Sequence, residues 1–348
     1  MTNVVSIGLP KRPNLGQRQS ALLQSFAQHR RATDDVFWLK ENAEALNILA
    51  TSGAALPPQG LDAYAAFYET LEERMRFFPQ YYRFLLSICL DLEDLGMPGN
   101  TGQQLCDQVF KEGYVESELS DLQRAETGRL IARRGRRALD GALSDRLIEF
   151  ISHAETFTLP NKKVSYELTH IVFYLSDYGA RPLDLPKRAI TSLEYAGLLA
   201  YLDQDLDLLS EVCVAMRFAG HAPSQIWEDW LETELHGFAI RPVPSAPAAD
   251  AYHEYLVTNW WATLSGHPSF RGIQEPGSIE VIRRASERGP LRAMSELMYQ
   301  LGAARTAKWS HMRALLEQAL PPEHHTILIG AEQSSDQFET FFKGFSRA

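Results

Sequence analysis

Cysteine is scarce in this chain of 348 residues: only Cys89, Cys106 and Cys213 occur. They form no CxxC pair and sit in apolar stretches such as LLSICL and EVCVAM. That excludes a disulfide framework and a Cys/His zinc module, and buried free thiols are the expectation. Long apolar runs are missing too. No segment approaches the ~18 uncharged apolar residues of a membrane span, and the best candidate, FLLSICLDLEDLG, is interrupted by three acids. The opening MTNVVSIGLPKRPNLGQRQS lacks the apolar core of a signal peptide. These absences predict a soluble, cytoplasmic protein with no membrane contact. Cationic excess is also lacking. Lys and Arg number 34 against 44 Asp and Glu, a net charge of −10, which argues against general nucleic-acid binding because phosphate affinity comes from Lys and Arg. Strand signals are confined to VVSIG near the start and HTILIG at 325–330, too little for a sheet core. There is no GxxxxGK[ST], no strand-coupled GxGxxG, no GxSxG and no HExxH.

What is present is helical periodicity. With 45% hydrophobic and 22% charged residues the composition is globular, and a chain this long buries roughly 75% of its unfolded surface without a staple. Residues 1–20 read as a flexible leader and 21–240 as the main helical domain. The Pro/Ala-rich RPVPSAPAAD at 241–250 reads as a linker or long loop. Residues 251–348 read as a C-terminal helical part packed on the main domain, with SIEVIRRAS among its helical runs. Within 163–237, four helical runs are joined by loops short enough for antiparallel neighbours. The fold class is all-α: an α-hairpin array or α/α-toroid-like domain, or alternatively an irregular helical bundle.

One segment carries unusual chemistry. At about 100° per residue, Val164, Leu168, Ile171, Val172 and Leu175 make an apolar stripe, while Tyr166, His170, Tyr174 and Asp177 fall nearly opposite, flanked by Glu167 and Phe173. No basic residue occurs between Lys163 and Arg181, so the second face is aromatic and titratable where a solvated face would carry Lys or Arg. Buried polar groups of this kind need partners. The face therefore reads either as a polar packing network or as a cavity in which His170 is a base or metal ligand and Asp177 an acid, ligand or orienting carboxylate. Glu167 and His170 form Glu-x-x-His, the spacing by which one helix offers two ligands in di-iron bundles. His170, Glu167 and Asp177 are thus the candidate ligands of a divalent metal. The second copy a di-iron bundle needs is missing, since Glu232 and His236 are spaced Glu-x-x-x-His.

Other features read as structural. Asp203, Asp205 and Asp207 lack the glycine and closing glutamate of a calcium loop, and suit a helix start. His221, His253, Glu254, His324 and His325 read as surface or capping groups. Trp227, Trp230, Trp260 and Trp261 flank the linker and read as core packing. Arg129, Arg133, Arg134, Arg136 and Arg137 form a basic island, solvated or open to an anionic ligand or partner.

Leu168, Thr169, His170, Phe173, Tyr174, Asp177, Tyr178 and Gly179 together spell Leu-Thr-His-x-x-Phe-Tyr-x-x-Asp-aromatic-Gly. Over about a quarter of the chain this resembles uncharacterised bacterial all-helical proteins. The resemblance implies that this helix matters to the family and brings no reaction with it. The leading expectation is an enzyme of small-molecule metabolism with a cavity lined by Tyr166, His170, Tyr174 and Asp177. The alternative is a non-catalytic helical-repeat binding or scaffold protein with a protein partner. A third reading is a regulator binding a small anion at the arginine island.

Overall fold

The computed structural model describes residues 13–136, 141–273, 275–284 and 288–348. Among them the chain forms eighteen α-helices and one two-stranded sheet, so the protein is all-α. Among the described residues no helix is long and apolar enough to cross a membrane.

The first described helix, Leu15–Ser25, starts inside the stretch read as a leader. Asn14 accepts from the Gln17 N–H at 2.9 Å and the Gln17 side chain accepts from the Asn14 N–H at 2.9 Å, a capping box that satisfies two orphan donors. Residues 1–12, with VVSIG, lie outside the described residues.

Two short segments differ from their sequence reading. Within SIEVIRRAS, Ile279–Arg283 is a strand, paired antiparallel with Phe238–Pro242 in the register Phe238↔Arg283 to Pro242↔Ile279. Ile279 and Val281 are buried and Glu280 between them is not; this is period-two alternation of β-branched residues. HTILIG instead lies in the helix Pro322–Ser334, whose proline start suits a first helical turn.

The 241–250 stretch is tied at both ends. Its first residues belong to the strand. At its far end Asp250 accepts from the Val281 N–H at 2.8 Å and from Arg30 Nη1 and Nη2, both at 2.9 Å. The fully enclosed Arg30 side chain also donates Nε to Glu41 at 2.9 Å and Nη1 to the Ile279 carbonyl at 3.2 Å. One buried cation thereby links the N-terminal helices to the sheet.

The centre is the helix Leu206–Phe218, in which every residue from Leu208 to Met216 is buried. It packs against Lys162–Leu175, Lys187–Asp203, Gln225–Leu235 and Tyr252–Leu264. A helix surrounded in this way is the geometry of an irregular bundle. The neighbouring Val36–Thr51 reaches the same centre by packing on Tyr252–Leu264, and Asp121–Ala132 by packing on Lys162–Leu175.

Candidate functional site

The helix Lys162–Leu175 starts at Asn161, whose side chain caps the Val164 N–H, and buries Leu168, Ile171, Val172 and Phe173. It ends before Asp177. The Asp177 N–H donates to the Tyr174 carbonyl at 3.2 Å and the Tyr178 N–H to the Phe173 carbonyl at 2.7 Å. Asp177, Tyr178 and Gly179 have φ of 49°, 53° and 82°. This is a Schellman closure, with Tyr178 stacked back on Phe173 at 5.6 Å. The reversal takes Asp177 off the helical face on which a 3.6-residue period places it. Its carboxylate instead receives Arg129 Nη1 at 3.1 Å and lies 3.6 Å from Arg181 Nε. Glu167 goes elsewhere too: it lies 3.9 Å from Lys163 and lines a separate depression with Arg146 and Phe150. The structure does not bring Glu167 and Asp177 together with His170.

What meets the Tyr166–His170 face comes from other helices. Tyr166 Oη donates to Asp207 Oδ2 at 2.6 Å, and Thr169 Oγ1 to Glu211 Oε2 at 2.6 Å. Asp207 and Glu211 are one turn apart on Leu206–Phe218, so both carboxylates share a face. His253, in the first turn of Tyr252–Leu264, places Nδ1 2.7 Å from Asp207 Oδ1 and Nε2 3.8 Å from Glu44 Oε1. Glu44 in turn receives the Tyr252 hydroxyl at 3.0 Å. His170 Nε2 stands 3.8 Å from Glu211 Oε2. One ligand-type atom each from Asp207, Glu211 and His253 lie within 4.8 Å of one another.

These groups sit in a recess. His170 keeps 39% of its side chain open, yet desolvation is the largest influence on it and lowers its pKa below the ordinary 6.5. Solvent reaches the His170 ring beside the buried Glu211, and this opening is the recess. Tyr174 stacks on His170 at 5.9 Å and Tyr178 lies 6.2 Å from Tyr174. Neither tyrosine hydroxyl, nor the His170 ring, makes a hydrogen bond to any described residue.

The floor is strongly polarised. Burial, then the charge of Asp207, pushes the Glu211 carboxyl up to about 8. Burial works against charge on His253 as well, but the hydrogen bond and charge of Asp207, with Glu44 and Glu211 adding, outweigh it and raise the imidazole to about 9. Asp207 is buried in the same place and still falls below its ordinary value, because His253 and Tyr166 donate to it. The floor therefore favours an ionised Asp207 paired with a charged His253, with Glu211 held toward its neutral form.

The remaining sequence candidates resolve into packing. Arg133 pairs with Asp91 at 2.8 Å and Asp94 at 2.7 Å, Arg134 with Glu93 at 2.7 Å, and Arg136 with Asp107 at 2.6 Å. With Arg129 on Asp177, the four described arginines of the basic island each pair with an acid of the chain, Arg136 and Asp107 at the surface; Arg137 lies outside the described residues. Trp227, Trp260 and Trp261 are buried and Trp230 is half-buried. All three cysteines are buried, and burial raises the Cys106 thiol to about 12. Lys162 bridges Asp203 at 2.9 Å and Asp205 at 2.8 Å, and Asp205 caps the Leu208 N–H. Only Asp207 of that acidic trio reaches the recess. Sequence reasoning missed Glu211 and Glu44 and discounted His253. The available signal was Glu211 itself, an acid within the apolar run LLSEVCVAM.

The family described as "Domain of unknown function (DUF6902)" matches residues 1–348, and the chain belongs to it. No curated protein and no solved structure matches the chain.

Proposed function

We propose that the protein is an enzyme acting on a small molecule that enters the recess at His170. The observation that carries this is the unpaired polar lining. The His170 imidazole stacks on Tyr174, which lies beside Tyr178, and neither the imidazole nor either hydroxyl makes a hydrogen bond among the described residues. Polar groups held in protein-crowded surroundings are normally paired, and a scaffold helix that merely packs pairs them internally. A ligand with donors and acceptors completes this set.

The roles follow from position. His170 is open to solvent and free to accept a proton, which suits a general base. Tyr174 and Tyr178 offer aromatic surface and a hydroxyl each, the mixture common in small-molecule sites. Tyr166 and Thr169 hold the floor carboxylates of Asp207 and Glu211 in place. Asp177 acts behind the wall: it anchors Arg129, whose guanidinium lies 4.5 Å over the Tyr178 ring.

The test is untargeted metabolite profiling. Purified protein is incubated with a small-molecule extract, and consumed and produced compounds are compared with those of His170→Gln. Wild type should convert at least one compound that His170→Gln leaves intact, while both show the same circular dichroism. No conversion by wild type, or equal conversion by both, refutes the reading.

A further inference from the structure

We infer that Asp207, Glu211 and His253 form a binding site for one divalent transition-metal ion at the floor of the recess. This rests on the reading of the recess as a catalytic site and supplies it with a cofactor.

The geometry comes first. Two carboxylates one helical turn apart and an imidazole from the neighbouring helix bring one ligand atom each within 4.8 Å of the others. Ions bound at about 2.0–2.2 Å need that mutual spacing of their ligands. The pairing now seen, His253 Nδ1 at 2.7 Å from Asp207 Oδ1, has to open only slightly for both atoms to face a common ion.

The surroundings supply a further observation. Glu211 is 4% exposed, yet only one of its oxygens takes a hydrogen bond among the described residues, from Thr169. With Oε2 held by Thr169, Oε1 is the oxygen left open to a ligand. The outer partners are those that metal centres use to fix their ligands. Tyr166 holds Asp207, Thr169 holds Glu211, and Glu44, itself held by Tyr252, stands 3.8 Å from the far nitrogen of His253. Three protein ligands leave positions open, as in catalytic rather than structural sites. The open side adjoins His170, 3.8 Å from Glu211.

The donor set selects the ion class. Two carboxylates and one imidazole suit Mn²⁺, Fe²⁺, Co²⁺ or Zn²⁺ better than Ca²⁺ or Mg²⁺, which take all-oxygen shells. His170 is not a ligand. It stands where it can take a proton from a water on the ion.

The test uses the full chain, stripped with a chelator and titrated calorimetrically with Mn²⁺ and with Zn²⁺. Wild type should bind close to one equivalent of at least one ion. His253→Gln and Asp207→Asn should each bind at least about 10-fold more weakly, whereas His170→Gln should bind as wild type does. Where a floor variant does not fold, Mn²⁺ added to isotope-labelled wild type should broaden the His253 and His170 ring signals before those of His221 or His236. Binding of neither ion, binding unaffected by the floor variants, or broadening elsewhere overturns the site. Metabolite conversion that survives chelation sinks the metal and leaves the enzyme reading standing. A bound metal without any conversion does the reverse.

Discussion

Replacing Glu211 by glutamine tests the electrostatics of the floor directly. Glu211 is 4% exposed and its carboxyl is pushed from 4.5 to about 8 by burial and by Asp207. A folded-state pKa above the unfolded value means that the native state binds the extra proton. Stability from this group is complete below pH 4.5 and is lost as pH rises toward 8. Each pKa unit is worth 1.36 kcal/mol, so the total loss reaches roughly 5 kcal/mol, of which about 1 kcal/mol falls between pH 7 and 9. His253, raised from 6.5 to about 9, loses stability in the same direction over that upper window. Glutamine has nearly the same shape, still accepts from Thr169 and does not ionise. In chelator, wild-type Tm should fall from pH 7 to 9, and Glu211→Gln should fall by about 1–3 °C less. Thermal denaturation at several pH values measures this. Parallel curves for the two proteins refute the argument, because they mean that Glu211 does not titrate in that window.

Two further outcomes test the frame around the recess. Arg30→Ala removes the cation shared by the buried Glu41 and Asp250, leaving Glu41 to Arg31 and Asp250 to the Val281 N–H, and should cost about 3 kcal/mol in denaturant unfolding; a loss below about 1 kcal/mol contradicts the link between the N-terminal helices and the sheet. Asp177→Gly places the preferred residue at a φ of 49° yet leaves Arg129, 5% exposed, without its carboxylate. It should destabilise by about 2 kcal/mol or more, and a variant as stable as wild type shows that the Arg129 pair contributes nothing.

Much of the fold was legible because helical periodicity is local. The stripe of Leu168, Ile171 and Val172 is buried as the 3.6-residue period requires. Ile279–Arg283 escaped because five residues of Ile, Glu, Val, Ile and Arg fit either period, and its partner strand lies across the 241–250 stretch. The site was half legible. Tyr166, His170 and Tyr174 do share a wall, but a helical wheel cannot know where the helix stops. Ser176, whose hydroxyl accepts from the Gly179 N–H at 3.1 Å, and Gly179 itself were the stop signals, and Asp177 lay between them. The acids that His170 meets were illegible in another way. Asp207, Glu211, His253 and Glu44 come from three helices spread over the chain, so only tertiary packing brings them together. Asp207 was read as a dipole partner and His253 as a cap, which is what such residues at helix starts are in most contexts.

The energetics of the floor bear on why it exists. Leu206–Phe218 is the most enclosed of the helices around the recess, and an apolar residue at 211 would carry no charge-desolvation cost there. The chain instead carries a carboxyl there that the surroundings force toward its neutral form, beside an Asp207 that stays ionised only through His253 and Tyr166. Buried ionic clusters are on average no better for stability than apolar packing, and the raised Glu211 carboxyl predicts that this one weakens as pH rises. Each member is also oriented: Asp207 by Tyr166, Glu211 by Thr169, Glu44 by Tyr252. A polar cluster whose members are each oriented, next to an open imidazole, favours the proposed site over a purely structural role for these residues.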